Sequence, residues 1–82
     1  MKLTYDARAD AAYVYLDDIR PGEVRRAYVC DEAIVEGTIV LDFGADGRLL
    51  GIEVLDAAAR LPKAALAAAE RIDDPPYAWT RP

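Results

Sequence analysis

Two apolar runs held apart by Gly44-Ala45-Asp46-Gly47 constrain this chain more than any other feature. The runs are TIVLDF before the turn and RLLGIEVLD after it. Asp-Gly between two β-rich runs is a strong hairpin signal. Side chains alternate along a strand, so the turn fixes which residues share a face. A two-residue Asp-Gly turn and a four-residue Gly44–Gly47 loop both put Ile39, Leu41 and Phe43 on one face with Leu50, Ile52 and Val54. That apolar set is the expected core face. Thr38, Val40, Asp42, Leu49, Gly51, Glu53 and Leu55 form a mixed second face, expected to be solvated or half covered. A slip of one residue would bury Asp42 and Glu53 without obvious partners, so the register is well specified. Gly51 inside the second strand marks a bulge or a close approach by another group.

The chain before the hairpin reads as three further strands. Lys2 to Asp6 alternates, with Leu3 and Tyr5 on one side. Ala7 to Asp10 is a polar break. Ala11 to Asp17 puts Tyr13 and Tyr15 on one face and Ala12, Val14 and Leu16 on the other, so the first two strands form a hairpin. Asp17 to Gly22 is a turn closed by Pro-Gly. Glu23 to Cys30 is a third strand. Arg26 falls on the face of Val24, Tyr28 and Cys30, and an inward charge of that kind suits an edge strand. Asp31 to Gly37 is an acidic connection.

Composition changes after Asp56. Ala64 to Ile72 is rich in alanine and reads as one helix, with Pro62 in its first turn and Asp56 as the cap of a short preceding turn. Leu61, Ala65, Leu66, Ala69 and Ile72 make a narrow apolar stripe suited to cover the hairpin's core face. Asp73-Asp74-Pro75-Pro76 ends the helix. The expected fold is α+β: a small antiparallel sheet of four to five strands with a C-terminal helix packed on one face. The expected division is a single domain over 1–72 and a Pro-rich tail over 73–82.

With 82 residues the chain is one domain that buries only about two-thirds of its unfolded surface, so its core is small. Such domains often gain stability by oligomerising. One cysteine, Cys30, excludes an internal disulfide and suits a reducing cytoplasm. No signal peptide is expected, and no apolar run approaches the length that crosses a bilayer. Net charge is −5, and residues 1–56 carry 12 acidic against 6 basic side chains. An acidic body repels phosphate backbones, so nucleic acid is not an expected direct partner. His, Ser, Asn and Gln are all absent. Ser-His and Cys-His nucleophile pairs and histidine metal sites are thereby excluded. No phosphate-loop or dinucleotide-binding pattern occurs, and no cofactor is expected.

Tyr5-Asp6, Asp10-Ala11-Ala12-Tyr13-Val14, Leu41-Asp42 and the run Asp46-Gly47-Arg48-Leu49-Leu50-Gly51-Ile52-Glu53-Val54-Leu55-Asp56 together resemble the YuzE-like family of small bacterial proteins. The resemblance covers roughly residues 2–60. It implies a compact α+β fold and no established activity. It also implies genomic company with small toxin-like proteins, and hence a role as a protein partner.

Asp42 and Glu53 are the sharpest chemical candidates. Adjacent carboxylates on one sheet face can hold a divalent cation or split their pKa values for acid–base work, with Asp6 and Asp10 as further candidates across the sheet. The plainer expectation is that they are solvated strand residues that pair with arginine and set the register. Asp17, Asp18, Asp31, Glu32 and Glu36 lack calcium-loop spacing and read as solvated loop charge. Tyr5, Tyr13, Tyr15 and Tyr28 would line a groove or, as the structural expectation has it, serve half-buried strands. Cys30 lies beside Asp31 and Glu32, which disfavours a reactive thiolate. Arg25 and Arg26 would meet an acidic partner, and Trp79 with Tyr77 would anchor one. The expected function is a non-catalytic interaction module that forms a homodimer, with a small toxin-like protein as a possible partner. The alternative is a small carboxylate enzyme that holds magnesium or manganese at Asp42 and Glu53.

Overall fold

A computed structural model describes residues 1–73. Their strands are β1 (Lys2–Asp6), β2 (Ala11–Tyr15), β3 (Arg26–Val29), β4 (Ile39–Phe43), β5 (Leu49–Leu55) and β6 (Glu70–Arg71). Three short helices are interposed: α1 (Glu32–Val35) between β3 and β4, then α2 (Ala57–Arg60) and α3 (Lys63–Ala68) after β5. The strands form one sheet in the order β3-β4-β5-β2-β1-β6. All neighbours are antiparallel except β1 and β6, which are parallel.

The central hairpin has the expected register. Ile39 pairs with Val54, Leu41 with Ile52 and Asp42 with Gly51. The four-residue loop closes it: the Gly47 amide donates to the Gly44 carbonyl and the Gly44 amide to that of Arg48. Gly47 adopts φ of 82°, which only glycine takes without strain. Alternation breaks at the loop end, where Phe43 pairs with Leu49 across a bulge. Phe43 and Leu50 therefore leave the simple parity rule that holds for the rest of the ladder.

The core lies where that register places it. Ala12, Val54 and Ala57 are buried together, with Leu3, Tyr5, Ile39, Ile52, Leu61 and Leu66 packed around them. Leu61 and Leu66 come from the segment expected to cover this face. The small Ala12 and Ala57 let α2 lie close against the sheet.

Three expectations are corrected. The sheet has six strands among the described residues, not four or five, and three short helices replace one long one. The alanine-rich helix ends at Ala68: Ala69 is extended, and Glu70–Arg71 add a strand beside β1. The open edge of β1 supplies backbone partners that outweigh alanine's helix propensity, and the Ile72 amide donates to the Tyr5 carbonyl at 3.1 Å. Asp56 caps nothing with its side chain, because it sits in the left-handed region at φ of 54°. Of the two readings of the second sheet face, solvated or half covered, the second holds: Val40, Asp42 and Glu53 are buried, and Thr38, Leu49 and Leu55 are half-buried.

Candidate functional site

The buried second face is built from two rows of side chains. Register places Thr4, Tyr13, Glu53 and Val40 in one row, and Lys2, Tyr15, Gly51, Asp42 and Ala27 in the next. Tyr13, at 0% exposure, crosses between the rows and donates its hydroxyl to Asp42 Oδ2 at 2.6 Å. Gly51 makes that crossing possible. A Cβ at Gly51 would clash with the Tyr13 ring edge and hydroxyl. The glycine thus marks a close approach, one of the two readings its strand position allowed. Tyr13 and Tyr15 rings sit 4.7 Å apart and tilted by 55°. Lys2 Nζ lies 4.8 Å from the Tyr15 ring centroid. Burial, helped by the negative charge of Glu70, raises the Tyr15 hydroxyl above its ordinary 10.0. Thr4 Oγ1 is buried in the same face with no hydrogen-bond partner among the described residues.

The chemistry of this face is that of a fastener. Tyr13 on β2 bridges over β5 to Asp42 on β4, so one hydroxyl ties three neighbouring strands together. Asp42 and Glu53 do share the face, as expected, on a diagonal of the β4–β5 ladder. Among the described residues no three His, Cys, Asp or Glu side chains converge to hold a metal ion. Asp6 and Asp10 do not join them. Asp6 accepts the Arg8 and Ala9 amides in its own turn. The expectation that Asp42 and Glu53 are solvated is overturned by their burial, and Asp42 accepts the Tyr13 hydroxyl. A glycine inside the second strand, at Gly51, is the sequence signal of this close approach; nothing in it names Tyr13.

Asp10 does a separate task. It sits at φ of 51°, and Oδ1 accepts both the Tyr5 hydroxyl and the Ala58 amide at 2.9 Å. The β1–β2 turn therefore caps α2 from 48 residues away, in place of Asp56. The hydrogen bond to Asp10, then burial, raises the Tyr5 hydroxyl above 10.0, against the opposing pull of Arg71. Arg71 closes the far edge with a two-pronged bond to Asp73, at 2.7 and 2.8 Å, and that guanidinium holds the Asp73 carboxyl down at about 2. Arg60 donates to the Val35 carbonyl beside Gly37, where a Cβ would meet the guanidinium.

The four tyrosines do not form a groove. Tyr13 and Tyr15 lie on the polar face, whereas Tyr5 and Tyr28 fall on the helix face by register. The loop carboxylates are dispersed, and Asp31 caps α1 through the Ala33 amide. Arg26 begins β3, the edge strand, as expected, and Arg25 precedes it. Every residue of β3 is exposed, including Tyr28 and Val29. Tyr77 and Trp79, the expected anchors, lie outside the described residues. No helix among the described residues is long and apolar enough to cross a membrane.

A mixed sheet backed by short helices, with a phenol–carboxyl bridge on its other face, defines a small α+β scaffold. The chain belongs to the family described as a protein of unknown function, DUF2283, whose match spans residues 2–57. That span runs from β1 to the first residue of α2 and contains Thr4, Asp10, Tyr13, Asp42, Gly51 and Glu53. The chain matches no curated protein and no solved structure.

Proposed function

We propose that this protein is a non-catalytic protein-interaction module that self-associates as a homodimer and works in the cytoplasm. The observation that supports it is β3. An edge strand exposed along its whole length, with Tyr28 at 59% and Val29 at 50% exposure, is a ready template for pairing with another chain. Ile34, on the connection at one end of that strand, is 78% exposed and extends the apolar surface. The YuzE-like resemblance adds an antitoxin-like role, with a small toxin as the second partner. The acidic body disfavours direct nucleic-acid contact.

This reading is favoured over a metal-dependent carboxylate enzyme because Asp42 has no exposed surface and already accepts the Tyr13 hydroxyl. Size-exclusion chromatography with light scattering across a wide range of protein concentration tests it. A mass that rises from monomer to dimer is expected. A monomer throughout would overturn the self-association. For the antitoxin-like role, co-expression with the neighbouring small gene product should give a complex that survives two purification steps.

A further inference from the structure

The open edge of β3 has a definite hydrogen-bonding parity. The Cys30 amide donates inward to the Ile39 carbonyl at 2.8 Å. Tyr28 pairs with Leu41 two residues earlier, so its backbone groups also face β4. Alternation then turns the amides and carbonyls of Ala27 and Val29 outward. The strand ends abruptly at Arg25 and Arg26, which share Phe43: the Arg25 amide donates to its carbonyl at 2.8 Å while Arg26 is its ladder partner. That local bulge stops the ladder from extending further.

We infer that β3 pairs antiparallel with β3 of a second copy, with Tyr28 on the two-fold axis and Ala27 exchanging hydrogen bonds with Val29 of the second copy. This rests on the self-association proposed above and fixes its register. Parity allows Ala27 and Val29 to bond to each other, and this register keeps the paired stretch clear of both the bulge and α1. Charge selects the direction. The strand is basic where it begins, at Arg25 and Arg26, and acidic just after it ends, at Asp31 and Glu32. Antiparallel pairing sets Arg25 opposite Asp31 of the second copy and Arg26 opposite its Cys30. Parallel pairing would set arginine on arginine. The two Tyr28 rings meet as a non-hydrogen-bonded pair, the kind in which side chains approach most closely. Each ring flanks a shallow groove with Arg26, Ala27, Phe43 and Gly47. The interface is isologous, so it closes at two copies.

Cysteine crosslinking reads this register directly. In a Cys30→Ala background, Tyr28→Cys places two thiols across the axis, whereas Ala27→Cys does not. Mild oxidation should convert most of the Tyr28→Cys chains to covalent dimers and few of the Ala27→Cys chains, with both variants melting cooperatively. Efficient crosslinking through Ala27→Cys instead would overturn the register while leaving self-association standing. No crosslinking in either variant, with a monomeric parent by light scattering, would overturn both. Arg25→Glu with Arg26→Glu should weaken the dimer at least about tenfold by setting like charges across the axis; an unchanged dissociation constant would overturn the charge pairing.

Discussion

Tyr13, Gly51 and Asp42 behave as one unit spread over three strands. A methyl group at Gly51 would occupy the volume of the Tyr13 ring, so Gly51→Ala should destabilise the fold by roughly 1–3 kcal/mol in urea unfolding. The cost should largely vanish in a Tyr13→Ala background, because the clash is with that ring. Equal costs in both backgrounds would refute the crossing geometry. Asp42→Ala removes the buried carboxylate that accepts the Tyr13 hydroxyl and should cost about 1–3 kcal/mol, with no dependence on added magnesium or manganese. Only Gly51 hinted at this unit in the sequence. Its other two members are separated by 29 residues, and their meeting depends on β2 inserting beside β5, a pairing that no local pattern encodes.

Asp73 gives a pH signature at the same scale. Its carboxyl is held at about 2 in the folded chain against an ordinary 3.8. The unfolded chain therefore takes up this proton first as pH falls. The Arg71–Asp73 contribution is whole above the ordinary value and is lost as pH falls through the folded one. Asp73→Asn should lower the melting temperature at neutral pH, and the gap to the parent should close between pH 3.8 and about 2. A gap that stays constant down to that limit would show that the ion pair contributes nothing. Tyr5 has the opposite sense: its raised hydroxyl contributes below 10.0 and loses that contribution as pH climbs through the folded value.

Among the elements, the hairpin was the most legible and the C-terminal segment the least. Hairpin register follows from a turn and an alternation, both local. The segment after Ala68 was decided by a distant element, the free edge of β1, which took Glu70 and Arg71 out of an alanine-rich helix. The same holds for α2. Its cap comes from Asp10, and Asp56 adopts a left-handed backbone instead. In this asparagine-free chain, Asp10, Glu36 and Asp56 fill positive-φ positions that asparagine or glycine commonly takes. Asp10→Ala should lose both the cap and the backbone preference and cost on the order of 1–2 kcal/mol. Asp10→Asn should cost less, since asparagine tolerates φ above zero and retains an oxygen acceptor. Thermal melts of the two variants in parallel measure the difference; an equal loss would mean that only the charge matters.

At the scale of the molecule, the six strands and three short helices of the described residues enclose a small buried core, and β3 is exposed from Arg26 to Val29. That strand was recognisable as an edge from the placement of Arg26. Its exposed tyrosine and valine, and the parity of its backbone groups, required the β3–β4 register to be seen. The phenol–carboxyl bridge stiffens the middle of the sheet, and the bulge at Arg25 and Arg26 confines further pairing to a short stretch. The proposed assembly with a second copy rests on that short edge, framed by Arg25 and Arg26 at one end and Asp31 and Glu32 at the other.

The most direct test of that account is sedimentation velocity of the parent chain over a hundredfold range of protein concentration, beside Arg25→Glu with Arg26→Glu. A monomer–dimer equilibrium in the parent, shifted at least about tenfold toward monomer in the variant, is the predicted result. A single monomeric boundary at every concentration, identical in the two proteins, would contradict it.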